Sequence, residues 1–239
     1  MKIEIIPCLQ DNYSYLIIDE KNNTACVVDP SEADPVIEYI ENKKIKLKFI
    51  LNTHHHYDHV GGNEKLKEKY GASVIGYRED KERIPKIDIL VNDQENWICE
   101  NFEAKIIHVP GHTLGHICFY FYKEHSIFTG DTLFSLGCGK IFEGTYSQMF
   151  NSLMKLKKLP QNTKIYCGHE YTLQNSKFCI KYDENNENLK AKIKEIEIKL
   201  NNKIPTIPST IKDELECNIF FKSGNLETFS KLRDLKDNY

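Results

Sequence analysis

The sequence predicts an α+β fold, with a strand-rich part over residues 1–172 followed by a helical part over residues 173–239. Three observations carry that expectation. Nine short β-type runs bounded by turn residues fill the stretch from Ile3 to Cys167, two well-formed helical patterns interrupt them, and after Tyr171 the texture becomes amphipathic and helical.

Taken in order, the expected strands are Ile3–Pro7, Tyr13–Ile18, Ala25–Val28, Lys48–Leu51, Ala72–Gly76, Phe102–His108, Ile117–Tyr122, Ser126–Gly130 and Lys164–Cys167. Each is rich in β-branched or aromatic residues, which suit a pleated, half-buried surface. One helix is expected to start at Asp34-Pro35, a capping residue followed by a proline at the first helical position, and to place Val36, Ile37 and Ile40 on one face. A second carries Met149, Leu153 and Leu156 at helical spacing and stops before Pro160. In the C-terminal part Leu189, Ile193, Ile196 and Leu200 form one apolar stripe, and the charges from Lys190 to Lys203 are its solvated face. Pro205 and Pro208 break that helix before a last one from about Asn225 to Leu235.

Composition narrows the function classes. The chain of 239 residues can bury a sizeable core. Its 32 basic and 35 acidic residues leave a net charge of -3, which argues against a nucleic-acid partner because that class shows a basic excess or patch. No apolar run approaches the roughly 18 residues of a membrane span. The N-terminal stretch also lacks the basic-then-apolar layout of an export signal, so a soluble cytoplasmic protein is expected, and a monomer. The eight cysteines include no C-x-x-C pair, which points to reduced structural thiols rather than a disulfide framework.

The chemistry is announced by His54-His55-His56-Tyr57-Asp58-His59, an H-x-H-x-D-H run placed directly after a strand and followed by Gly61-Gly62. Four metal-ligand side chains within six residues are not core packing. In an extended segment His54 and His56 point the same way, while Asp58 and His59 are carried past a turn, so one loop can serve two neighbouring metal positions. Imidazole and carboxylate together suit zinc, iron or manganese. Gly61 and Gly62 are expected to let the backbone turn before a helix from Asn63 to Tyr70. His112, Asp131 and His169 each follow a glycine where a strand gives way to a loop, and such loops commonly carry functional groups. An isolated strand-end His or Asp is usually a surface or capping residue, but here the loop needs partners to complete two coordination spheres. His55, His108, His116 and His125 are left as ordinary histidines, with His55 pointing away from its neighbours and His116 at most a hydrogen-bonding support.

These residues, in this order, resemble the metallo-β-lactamase superfamily, whose fold is a four-layer αβ/βα sandwich of two mixed sheets with helices outside. The resemblance implies that His54, His56 and His112 hold one metal and Asp58, His59 and His169 the other, with Asp131 bridging and Asp29 in support. Within the superfamily, Gly137-Cys138-Gly139-Lys140, Glu143-Gly144-Thr145, Cys167-Gly168-His169-Glu170-Tyr171-Thr172, Pro208-Ser209-Thr210 and Arg233-Asp234-Leu235-Lys236-Asp237 resemble glyoxalase II, the hydroxyacylglutathione hydrolases. That likeness implies two divalent ions per chain, zinc first and iron or manganese as alternatives, with Asp58 and Asp131 as catalytic carboxylates. It implies a glutathione thioester as partner, bound at Lys140, Tyr171, Arg233 and Lys236, with Phe142 where many relatives place a tyrosine. The family's usual substrate, S-D-lactoylglutathione, gives D-lactate and glutathione in methylglyoxal detoxification through attack by metal-bound hydroxide. The other readings are superfamily neighbours. Class B β-lactamases commonly place a cysteine at Asp131 and are exported, ribonucleases call for basic surface, and persulfide dioxygenases use one iron and do not use the full second ligand set. A structural metal site would be closed and cysteine-rich.

Overall fold

The computed structural model describes residues 1–239, which divide into two compact units. The first comprises Met1–His108 and Gly115–Glu124. Its strands β1 (Lys2–Cys8), β2 (Asn12–Asp19), β3 (Thr24–Val28), β4 (Lys46–Leu51), β5 (Ser73–Tyr77) and β6 (Ile89–Val91) lie side by side in chain order. Pairing is antiparallel from β1 to β3 and parallel from β3 to β6, with α1 (Ala33–Lys43) crossing over between β3 and β4, α3 (Asn63–Tyr70) between β4 and β5, and the connection over residues 78–88 between β5 and β6. Every residue of β2 and β3 is buried, as expected of strands covered on both faces. On one face Leu16, Ile18, Ala25, Val27 and Ile50 pack with Val36 and Ile40 of α1 and Leu66 of α3. On the other, Phe49 meets Trp97 edge-on at 5.4 Å and Phe102 at 6.1 Å. Those two rings belong to an antiparallel row made of β7 (Asn96–Cys99), β8 (Phe102–His108) and β9 (Ile117–Phe121).

The second unit comprises Val109–Leu114 and His125–Tyr239. Here β10 (Ser126–Gly130) runs parallel to β13 (Lys164–Cys167), which pairs antiparallel with the short β14 (Ser209–Thr210). A two-stranded ribbon joins β11 (Leu133–Phe134) to β12 (Gly137–Cys138). Helix α4 (Tyr146–Leu156) opens on a capping box of Thr145 and Gln148 and buries Met149, Leu153 and Leu156. The C-terminal helices are α5 (Thr172–Tyr182), α6 (Glu187–Asn201), α7 (Ile211–Cys217), α8 (Ile219–Lys222) and α9 (Leu226–Asp237). Phe178, Phe220 and Phe229 form their shared aromatic core, with ring centroids 6.1 and 5.9 Å apart.

All nine expected strands are present, within two residues at their ends, and the helices at α3, α4, α6 and α9 stand where the sequence places them. Two expectations need correction. Asp34 does not cap α1: the helix starts at Ala33 with Glu32 at the cap position, and Asp34 lies inside the first turn, where its charge still suits the helix dipole. The Glu32 carboxylate accepts from Leu9 N–H instead, at 2.7 Å. Gly61 and Gly62 are not needed for a left-handed turn, since their φ values are -60° and -83°. They are needed for close approach: a Cβ there would come within 2.6 Å of the Ser31 carbonyl and 2.9 Å of the Pro30 carbonyl. Helix α5 was missed because its buried side includes Thr172, Asn175 and Ser176, which satisfy themselves by hydrogen bonding, as Asn175 does to Ser135 O at 3.1 Å. Strands β6, β7, β11, β12 and β14, of two to four residues, are too short to show a period.

Candidate metal centre

In the first unit the chain leaves β4 at Leu51 and runs through Asn52 and Thr53 into the histidine loop, whose last ligand candidates sit on the single turn of α2 (Tyr57–Val60). Asp29, just past β3 at φ 46°, is the hub of this loop. Its Oδ1 accepts from Thr53 N–H at 2.8 Å, and its Oδ2 accepts from the Thr53 hydroxyl at 2.6 Å and from His59 Nδ1–H at 3.1 Å. Having donated its only proton, Thr53 Oγ1 accepts from His54 Nδ1–H, 3.0 Å away. Both rings are thereby set in the tautomer that keeps the Nε2 lone pair for a cation. Asn12 Nδ2 donates to the Asp58 carboxylate at 3.0 Å and to the Asp58 carbonyl at 3.1 Å. The His54 ring lies 4.7 Å from that of His56 and 4.2 Å from that of His59, and His116 stacks on it at 4.6 Å. His55 turns to Asp80.

In the second unit Asp131 and His169 stand just beyond the ends of the parallel neighbours β10 and β13, and Gly130, at φ 46°, makes the bend before Asp131. His112 Nδ1–H donates to Lys140 O at 2.8 Å, so its Nε2 too is left as an acceptor. One oxygen, Asp131 Oδ2, lies 3.3 Å from His169 Nε2 and 3.6 Å from His112 Nε2. In the first unit Asp58 Oδ2 stands 3.6 Å from His59 Nε2. Two donors bound to one tetrahedral ion, each about 2.0–2.1 Å from it, stand roughly 3.3 Å apart. The donor types, their tautomers and these separations therefore fit divalent cations, with Asp131 presented to two imidazoles at once.

The predicted substrate residues all lie in the second unit. Lys140 is exposed, with its Nζ 5.7 Å above the Phe142 ring, and that ring meets His112 edge-on at 5.2 Å. Tyr171 stacks on His169 at 4.7 Å. Arg233 is buried: Nη1 donates to Cys138 O at 2.8 Å, and Nε and Nη2 donate to Asp237 at 3.1 and 2.8 Å. The Lys236 Nζ is buried without a hydrogen-bond partner, over Phe178 at 5.1 Å and Tyr239 at 5.3 Å. Burial, and then the neighbouring Arg233 charge, hold its pKa below the usual lysine value. Sequence reasoning missed Asn12, Thr53 and Asp80, since no local pattern links them to the residues they hold. Asp29→Ala is expected to weaken metal binding about 10- to 100-fold by releasing Thr53 and His59, as measured by competition with a chelator.

Residues 10–169 match the metallo-beta-lactamase superfamily model, and residues 170–239 match the hydroxyacylglutathione hydrolase C-terminus model. A hydroxyacylglutathione hydrolase of Pelagibacter ubique (strain HTCC1062) is 76% identical over 239 residues, spanning 100% of both chains. Among solved structures, ETHE1 from Myxococcus xanthus aligns with TM-score 0.75 at 22% identity over 98% of this chain and 90% of its own. TTHA1623 in a di-iron-bound form aligns with TM-score 0.59 at 26% identity over 71% of this chain and 92% of its own. No helix of the chain is long and apolar enough to cross a membrane. Matched along its length by these models and by a full-length relative, the chain belongs to the hydroxyacylglutathione hydrolases, thioester hydrolases on the metallo-β-lactamase fold.

Proposed function

We propose that this chain hydrolyses S-(2-hydroxyacyl)glutathione, S-D-lactoylglutathione first among them, with His54, His56 and His112 holding one divalent cation, Asp58, His59 and His169 a second, and Asp131 shared. The observation that supports this most directly is the single Asp131 oxygen set 3.3 and 3.6 Å from two imidazole nitrogens. When bound, the pair of cations supplies Lewis acidity that activates water near neutral pH and offsets charge developing on the carbonyl oxygen. Zinc suits the donors, and iron or manganese is compatible with them. The chain does the rest by orientation. Asp29, Thr53 and the Lys140 carbonyl fix the ring tautomers, and Asn12 fixes Asp58. The departing thiolate, with a pKa of about 8.5, leaves without a dedicated general acid.

Glutathione carries two carboxylates, and the cations assigned to them are Lys140, Arg233 and Lys236, with Tyr171 and Phe142 beside them. Lys236 is the strongest of these assignments, because a buried ammonium without an acceptor is costly until an anion arrives. Arg233 braces the Cys138–Lys140 segment while adding charge. Residues 173–239 act as the substrate-binding part of a monomeric, cytoplasmic enzyme. The test is steady-state hydrolysis of S-D-lactoylglutathione with metal content read on the same sample. Turnover with about two metals per chain is expected, and Lys236→Ala is expected to raise KM about tenfold at unchanged kcat. Full metal loading without turnover would overturn the substrate assignment.

A further inference from the structure

His55 sits between two ligand histidines, yet the structure ties it to something else. Its Nδ1 donates to Asp80 Oδ2 at 3.2 Å. Asp80 is wholly buried, and its other oxygen accepts from Arg83 Nε at 3.1 Å and from Arg83 Nη2. The Asp80 carbonyl accepts from the N–H groups of Arg83 and Ile84, and Ile84 is rooted in the hydrophobic core, so this carboxylate is mounted on a fixed turn. Gly115 lies directly against the carboxylate, where a Cβ would overlap both oxygens. The next residue, His116, stacks on His54, and Ile117 N–H donates to the Thr53 carbonyl at 2.9 Å. Residues 53–55, Asp80 and residues 115–117 thus close a ring of contacts around the start of the histidine loop.

We infer that Asp80 is a positioning residue for the metal site: by holding His55 in place it fixes the stretch of chain that presents the flanking His54 and His56. The inference rests on the reading that His54 and His56 are metal ligands. His55 is joined directly to both, with its ring 6.4 Å from that of His54 and 5.0 Å from that of His56, so tying it down restricts the backbone and the ring packing that set its two neighbours. A carboxylate that is buried, doubly held by Arg83 and confined by Gly115 has one place to stand, and His55 must come to it. Arg83 neutralises Asp80, so the arrangement persists without a cation in the loop.

The test uses the full chain loaded with cobalt(II), whose visible absorption reports ligand geometry, together with the rate of cobalt loss to a chelator. His55→Ala leaves the buried Asp80–Arg83 pair intact and so avoids a charge stranded in the core. It is expected to change the cobalt spectrum and speed metal loss about tenfold, the lower end of what removing an outer partner of a ligand costs. His55→Asn places an amide N–H near the position of Nδ1 and should restore both readouts, and Asp80→Asn should resemble His55→Ala. Variants indistinguishable from the parent in spectrum and release, or His55→Asn as perturbed as His55→Ala, overturn the inference while leaving the metal reading in place. A parent chain that takes up no cobalt overturns both.

Discussion

Asp131→Asn is expected to lower kcat on S-D-lactoylglutathione by about three orders of magnitude and to leave the purified chain depleted of metal. The carboxylate follows β10, and its Oδ2 faces His169 Nε2 and His112 Nε2 at 3.3 and 3.6 Å. An amide keeps the shape but removes the negative charge and replaces one potential donor oxygen with an N–H group that cannot bind a cation. Under the proposed role, losing this anionic ligand would remove several kcal/mol of electrostatic stabilisation from the transition state, and about 4 kcal/mol corresponds to about a 10³-fold rate loss. The fold should survive, because the neighbouring backbone keeps its own bonds, such as Thr132 N–H to Thr129 O at 3.1 Å. Metal content, kcat and the thermal midpoint measured on one preparation check this. Full turnover by the variant would remove Asp131 from the centre of the reaction.

The second large effect concerns stability. Glu214, on α7, is wholly buried, and its Oε2 accepts from Leu136 N–H at 2.8 Å and from Asn218 Nδ2 at 2.8 Å. Leu136 needs the support, since it holds φ 58° in the loop of the β11–β12 ribbon. Asn218 also donates to Gly137 O, and Arg233 to Cys138 O, so the C-terminal helices grip the ribbon that leads to Lys140. Burial pushes the Glu214 carboxyl up to about 7, against partial relief from its hydrogen-bond donors. The folded value lies above the unfolded one, near 4.5, so the folded state holds its proton where the unfolded state has lost it. Stability from this group is complete below about pH 4.5 and is lost as pH rises through about 7, a difference on the order of 3 kcal/mol. Urea unfolding across that window should show the parent losing stability relative to Glu214→Gln, which carries no titrating proton. Parallel profiles for the two proteins would show that Glu214 does not titrate there.

How much of this was legible in the sequence depends on how far apart the cooperating residues lie. His54, His56, Asp58 and His59 announce themselves because their donors are crowded into six residues, a density no core requires. His112, Asp131 and His169 were legible only as glycine-preceded residues at strand ends, and the loop motif together with the family likeness gave them meaning. Asn12, Thr53 and Asp80 were invisible, because asparagine, threonine and aspartate occur at many turns and a support is defined by its partner. The same holds for Lys236 and Arg233. Spacing put both on α9, but burial separates them, one braced by Asp237 and Cys138 O and the other without an acceptor.

By itself the sequence determined the α+β alternation, the strands that carry the site, the donor types and hence the class of cation, because periodicity and side-chain chemistry are local properties. Tertiary structure decided which imidazole nitrogen each hydrogen bond engages, which carboxylate meets which ring, and which charges are buried. Those choices come from hydrogen bonds and desolvation between residues up to 95 positions apart, as between Arg233 and Cys138, and no local pattern records such pairings.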